Sequence, residues 1–192
     1  MHSPSSVLSD IEFLDDDTRP EAPRLEGLTL EQRAPGRHLR MIHNHFRENM
    51  QVLRGLIDAA AQGAITPEEL RERASDLHFI ENSRRFGNLC GQHCQIIEMH
   101  HGIEDQAIFP VLSQKAEAFR KVTQRLVDEH VVVHALLERL IESLVALIRH
   151  QGPEEFAAAR EVYDALEKVL LSHFGYEEES IGDALGYYEI GV

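Results

Sequence analysis

Apolar residues recur every three or four positions along four long segments of the chain. These segments are residues 36–62, 76–109, 115–150 and 154–185, and a shorter helical pattern covers 67–74. No stretch alternates apolar and polar residues as a half-buried strand would. Four long amphipathic helices with short connections predict an all-α fold, namely an antiparallel up-and-down four-helix bundle.

The first 35 residues do not share the helical pattern. They are acidic and contain prolines and serines, as in the stretch LDDDTRPEAPRLEG. The sequence therefore predicts an irregular N-terminal arm over 1–35, a bundle over 36–186 and a C-terminal tail over 187–192. We expect the arm to dock on the bundle through its apolar residues, Val7, Leu8, Ile11 and Phe13.

Charge and cysteine content limit the classes of partner. The chain has 33 acidic and 19 basic residues, which argues against nucleic acid or an anionic membrane surface as a partner. No apolar run approaches the roughly 20 residues of a membrane span, and the N-terminus does not resemble a secretory signal. Cys90 and Cys94 lie one helical turn apart, where a disulfide would close almost no loop. We therefore expect a reduced, cytoplasmic protein; the sequence leaves its oligomeric state open.

Ionisable residues occupy the apolar stripes of these helices, where a bundle would bury them. The first helix contributes one such residue and each later helix a pair spaced by four, giving His43, His100, Glu104, His130, His134, His173 and Glu177. On the second helix the predicted stripe also contains Phe86, Leu89, Ile96, Ala107 and Val111. His101 is turned about 100° from that stripe, so we expect it at the edge or outside.

This set of side chains favours a metal centre over an ordinary core. Burying two carboxylates without strong partners would cost several kcal/mol each. Five imidazoles and two carboxylates are too many donors for one ion, but they suit two first-row ions bridged by the carboxylates. With an oxo or hydroxo bridge, these donors leave one position open on two octahedral ions. A small molecule could bind there, in a pocket lined by residues such as Phe46, Ile97 and Leu137.

The motifs MIHNHFRENM, HHGIEDQAIFP, DEHVVVH and SHFGYEEES resemble those of the hemerythrin-like (HHE) family over residues 36 to 186. The resemblance implies a cofactor of two non-haem iron ions in an up-and-down bundle. It also implies a small-molecule ligand, such as dioxygen, peroxide or nitric oxide, in a binding or sensing role. The alternative is a diiron enzyme with peroxide-decomposing (catalase-like) or oxidase activity.

Two assignments stay open. In the oxygen carriers of this family the fourth-helix carboxylate lies five residues after its histidine, which here is Glu178, whereas a regular helix turns Glu177 inward. Gly175 between the histidine and the carboxylates could distort the helix. His93 lies on the inward stripe roughly 10 Å along the axis from His100, either as a ligand or pocket residue or as a buried hydrogen-bonded histidine.

Further acidic residues lie off the inward lines. They are Glu98, Asp105, Asp128 and Glu129. We expect them to be surface charges or hydrogen-bond partners of the ligand imidazoles.

Overall fold

The computed structural model of the chain describes residues 6–61, 91–150 and 152–191. Helix α1 spans Ala34–Ala61, α3 spans Glu117–His150 and α4 spans Pro153–Tyr187. Helix α2 consists of an α-helical segment, a π-helical turn and a last α-helical turn, at Gly91–Ile103, Glu104–Ile108 and Phe109–Ser113. No β-strand occurs within these described ranges, and the predicted all-α fold is confirmed.

The four helices run alternately up and down. Ring contacts pair Phe119 of α3 with Tyr188, the residue directly after α4, and His130 of α3 with His173 of α4, so residue numbers rise along one helix as they fall along the other. The contacts between α1 and α4, and those between α2 and α3, follow the same antiparallel order. None of the described helices is long and apolar enough to cross a lipid bilayer.

Buried ionisable residues form a layer across the bundle between two apolar clusters. The larger cluster contains Phe46, Ile97, Leu137 and Leu170, and the smaller one contains Leu39, Leu112, Leu126 and Ile181. On α1, for example, His43 lies between Leu39 of the smaller cluster and Phe46 of the larger one. The same order recurs on the other three helices, so their inward histidines lie at a similar depth.

The predicted inward stripe of α2 is wrong in part. Ile96 and Val111 are 37% and 42% exposed, and Ala107 is also exposed. Their sequence neighbours Ile97, Ile108 and Leu112 are buried instead. The π turn accommodates an extra residue, so the inner face beyond it moves from 107 and 111 to 108 and 112.

The predicted end of this helix at residue 109 is also wrong, because α2 continues through Pro110 to Ser113. The backbone N–H of Phe109 donates to the carbonyl of Glu104, five residues earlier, which closes the π turn. Pro110 therefore falls at the start of the last α-helical turn, a position at which its missing N–H costs little.

The N-terminal arm packs along the bundle. Val7, Leu8 and Ile11 contact the larger apolar cluster, as expected, whereas Phe13 is 46% exposed and does not dock in this way. The predicted short helix at 67–74, the start of the second helix at residue 76 and the side chain of His93 all lie outside the described part of the structure.

Helices α1 and α4 cross where glycines let their backbones approach. A Cβ atom added to Gly36 would lie 2.5 Å from the carbonyl oxygen of Gly182. We expect Gly36→Ala to lower the free energy of unfolding by about 1–3 kcal/mol, because two backbones rather than a flexible side chain must separate. Denaturant unfolding monitored by circular dichroism measures the change.

Gly55 in the same helix is the matched control. No described atom lies within 4 Å of a Cβ built there, so we expect Gly55→Ala to raise stability by about 0.4–1 kcal/mol. If Gly36→Ala and Gly55→Ala changed the free energy of unfolding equally, the close approach of α1 and α4 at Gly36 would be contradicted.

Candidate metal centre

Three histidines from three helices converge on one point. Ligand nitrogens of His101 on α2, His130 on α3 and His173 on α4 all lie within 4.8 Å of one another. The Nε2 atoms of His130 and His173 are 3.2 Å apart. We refer to these residues as the three-histidine group.

A second group lies beside it and combines imidazoles with carboxylates. Ligand atoms of His43, His100, Glu104 and Glu177 also lie within 4.8 Å of one another. The Nε2 atoms of His43 and His100 are 3.0 Å apart, and Nε2 of His100 lies 3.1 Å from Oε1 of Glu104. We refer to these four residues as the histidine–glutamate group.

Each carboxylate of the second group also approaches the first. Oε2 of Glu104 lies 3.7 Å from Nε2 of His130. Oε2 of Glu177 lies 3.7 Å from Nε2 of His173 and 3.4 Å from Nε2 of His43. Both carboxylates therefore stand between the groups, in the position from which one carboxylate can bridge two ions.

The third imidazole of the three-histidine group is His101, whereas the sequence predicted His134 as a ligand. The expectation that His101 lies at the edge or outside is wrong, because its side chain is fully buried. Its Nδ1 lies 3.2 Å from Nε2 of His134, and His134 is only half-buried and belongs to neither group. The overlooked signal was the spacing of three between His101 and Glu104, which also places two residues on one helical face.

Carboxylates hold the outer nitrogens of three inward imidazoles. The Nδ1–H groups donate to them in three pairs, His43 to Glu178 at 3.0 Å, His130 to Asp105 at 2.8 Å and His173 to Glu129 at 3.0 Å. A proton fixed on Nδ1 leaves the lone pair of Nε2 facing the centre, as metal-binding histidines require. The choice between the adjacent acids is then clear in geometry: Glu177 faces the centre, and Glu178 orients His43 from outside.

The protonation states suit ligands. Burial lowers the pKa of His100 to about 4, and it holds the pKa of His101 well below the ordinary value. Burial and the neighbouring Glu177 raise the pKa of Glu104 well above that of a free glutamate. Burial also opposes ionisation of Glu177, but the surrounding histidines, His43 foremost, outweigh it and lower the pKa. Burial therefore keeps the imidazoles of His100 and His101 neutral at pH 7 and able to donate lone pairs.

Five buried side-chain atoms lack a hydrogen-bond partner among the described residues. They are Nε2 of His101 and the four carboxylate oxygens of Glu104 and Glu177. Buried polar atoms are rarely left unpaired, because each costs about 1–3 kcal/mol. Since all five belong to the two groups, bound cations would satisfy them together, and the residues fit a pair of metal ions.

Comparison with known families agrees with this geometry. The family described as Hemerythrin HHE cation binding domain matches residues 37–185. The chain belongs to the hemerythrin HHE family. The match contains both groups and leaves the N-terminal arm outside. Comparisons with curated proteins and with solved structures find no match.

Aromatic rings enclose the centre of this HHE domain. Phe174 stacks on the ring of His43 with centroids 4.3 Å apart, and Phe46 lies 5.4 Å from the ring of His100. Phe109 stacks on His130 at 5.6 Å. Phe46 was expected at the site from the sequence, but Phe109 and Phe174 were not. Such walls keep water out and lower the local dielectric constant, which strengthens interactions with a bound ion.

Proposed function

We propose that this HHE domain holds two iron ions and binds dioxygen, peroxide or nitric oxide at an open iron position, in a binding or sensing role. The observation that carries the proposal is the convergence of two donor groups with five otherwise unpaired buried atoms. Mixed imidazole and carboxylate donors suit borderline first-row ions, and membership of a cation-binding family supports the same reading.

The two groups differ in a way that favours one open position. The three-histidine group supplies three imidazoles, whereas the histidine–glutamate group supplies two imidazoles beside its two carboxylates. If two octahedral ions shared both glutamates and one oxo or hydroxo bridge, an ion at the three-histidine group would be saturated and an ion at the histidine–glutamate group would lack one ligand. Iron at the histidine–glutamate group would supply a coordination position and a change of oxidation state.

The chain's own residues prepare this position. Glu178 fixes the tautomer of His43, so that its Nε2 faces the histidine–glutamate group, where an ion with an open position would bind. Phe46 and Phe174 line that side with apolar surface and exclude water and larger ligands. The net charge of −14 argues against nucleic acid as a partner, and the spacing of Cys90 and Cys94, across which a disulfide would close almost no loop, supports a cytoplasmic setting.

Metal stoichiometry tests the ligand set. We expect His101→Ala to lose about one of the two iron ions, because an ion held by three imidazoles loses one of them. His134→Ala should keep both ions, since His134 lies against the outer nitrogen of His101 and belongs to neither donor group; loss of an outer partner typically costs about 10–100-fold in affinity. Iron content is measured on protein purified from iron-supplemented cells.

The opposite pattern would restore His134 as the ligand. Iron lost from His134→Ala and kept by His101→Ala would mean that the third imidazole comes from α3. Absence of iron from the unchanged protein would remove the diiron proposal altogether.

Azide tests the open position. We expect azide to bind the oxidised, iron-loaded protein and to change its visible spectrum, because a small anion fits the vacant position at the histidine–glutamate group. Phe46→Trp should weaken azide binding while both ions remain, because a larger ring beside His100 leaves less room for an anion on that side of the centre. An unchanged spectrum at saturating azide would leave a metal centre without the proposed ligand site.

A further inference from the structure

The N-terminal arm reaches the centre through one arginine. Arg19 donates from Nε to Oε1 of Glu129 at 2.9 Å and from Nη2 to Oε2 at 3.1 Å. Oε2 is the same oxygen that accepts the Nδ1–H of His173. Three hydrogen-bonded side chains therefore connect the arm to the three-histidine group.

The arm is fixed on both sides of Arg19. Arg125 of α3 donates to Thr18 Oγ1 at 2.7 Å and to the carbonyl of Asp15 at 2.8 Å. On the α4 side, Tyr176 donates its hydroxyl to the carbonyl of Pro20 at 2.8 Å. The guanidinium of Arg19 also donates to Ser172 and lies 4.7 Å from the ring centroid of Tyr176.

Both arginines contact the buried carboxylate of Glu129. This carboxylate is 4% exposed, and burial alone would disfavour its charge. Hydrogen bonds from His173, Arg19 and Arg125 offset that cost. Arg125 donates to Oε1 of Glu129 at 2.7 Å, whereas Arg19 donates to both oxygens of this carboxylate. A two-pronged contact fixes the plane of a carboxylate, which a single contact does not.

The other side of the centre shows the same arrangement without the arm. Glu178, which orients His43, accepts from Arg40 at 3.0 Å and lies 2.7 Å from a guanidinium nitrogen of Arg47. Both of these arginines belong to α1, inside the family match. On the His173 side, the bundle supplies only Arg125, and the second arginine comes from outside the match.

We propose that Arg19 is a positioning residue: the arm orients Glu129, and through it the imidazole of His173, toward the three-histidine group. The inference rests on the proposed metal centre for its purpose, but the orientation of His173 is a property of the protein without metal. The arm is thus part of the site rather than an accessory to the fold.

Metal-free protein gives the first test. Nitrogen-15 correlation spectra of the histidine side chains report which ring nitrogen carries the proton and how fast it exchanges with water. In Arg19→Gln we expect the Nδ1 proton of His173 to shift and to exchange severalfold faster. Arg33→Gln, which removes an arm arginine with a half-exposed ion pair to Asp183, should leave that proton unchanged.

Iron release gives the second test. Loss of an outer partner of a ligand histidine typically costs about 10–100-fold in metal affinity, so we expect Glu129→Gln to release iron to a chelator about 10–100-fold faster. Arg19 is one hydrogen bond further from the metal centre than Glu129, and we expect Arg19→Gln to release iron about three- to tenfold faster. Arg19→Lys keeps the positive charge but cannot make the paired contact with both oxygens of Glu129. Its rate of iron release should lie between those of Arg19→Gln and the unchanged protein.

The outcomes separate this inference from the proposed function. If Arg19→Gln and Arg33→Gln give the same His173 spectrum and the same release rate, Arg19 is not a positioning residue. If Arg19→Gln fails to fold, Arg19→Lys decides by the same comparison with Arg33→Gln. If the chain binds no iron, the proposed function fails, and the metal-free spectrum alone still decides the role of Arg19.

Discussion

The metal-free protein is expected to melt about 8–16 °C below the iron-loaded protein. An ion that binds only the folded state stabilises it by about 4 kcal/mol at a thousandfold excess over the dissociation constant. For a chain of this length, each kcal/mol moves the melting temperature by about 2–4 °C. Calorimetry on iron-loaded protein and on protein treated with a chelator measures the difference.

Acid should reduce the stability of the metal-free protein further. Burial lowers the folded-state pKa of His100, His101 and His130 below the ordinary value of 6.5. The unfolded chain therefore binds protons first as pH falls, and stability is lost below about pH 6.5. Protons also compete with metal for the same nitrogens, so iron affinity should fall over the same range.

Glu98→Gln is the control for both measurements. Glu98 lies on α2 with its side chain exposed, so this variant should retain the full difference between the loaded and metal-free forms. Equal melting temperatures of the two forms of the unchanged protein would show that the buried imidazoles hold no structurally significant ion.

Glu104→Gln is expected to change stability in opposite directions in the two forms. Without metal, Glu104 is a buried carboxylate with no hydrogen-bond partner among the described residues, and its burial and the neighbouring Glu177 raise its pKa. Replacing it by an amide removes the charge, and we expect a gain of about 1–3 kcal/mol at pH 8. With iron, the same change removes a bridging donor, so the metal stoichiometry and the melting temperature should both fall.

The pH dependence of this gain has a definite sign. A carboxyl group whose pKa is raised in the folded state costs stability as pH rises above its ordinary value, here 4.5. The advantage of the metal-free Glu104→Gln protein should therefore be absent near pH 4 and grow toward pH 8. Denaturant unfolding at both pH values measures it, with Glu98→Gln as the exposed control. A loss of stability in both forms would mean that Glu104 has a structural partner and is not reserved for a cation.

Long periodic segments made the fold predictable. The predicted first, third and fourth helices end within two residues of the observed ones, because each carries one uninterrupted apolar stripe. A stripe also shows which polar residues will be buried, and six of the seven expected ligands lie in the two donor groups. The apolar pattern thus predicts a helix and its buried residues correctly where the backbone keeps one helical period.

The prediction fails where the backbone changes its period. The π turn at Glu104–Ile108 cannot be read from residue spacing, since α2 carries apolar residues on both sides of its inward line. A reading at 100° per residue therefore buried Ala107 and Val111, which lie within and beyond the turn. No local rule chooses between His101 and His134, because that choice depends on how α2 packs against α3.

The sequence by itself determined the helical bundle, the alternating direction of its helices and six of the buried donors, because these follow from hydrophobic period and chain connectivity. Tertiary structure alone decided which imidazole completes the three-histidine group and which acids hold the outer nitrogens. It also decided that Arg19 of the arm lies against Glu129, 110 residues away along the chain. Contacts of that kind depend on the relative rotation of packed helices, and the residues around Arg19 have no periodic pattern from which the contact could be predicted.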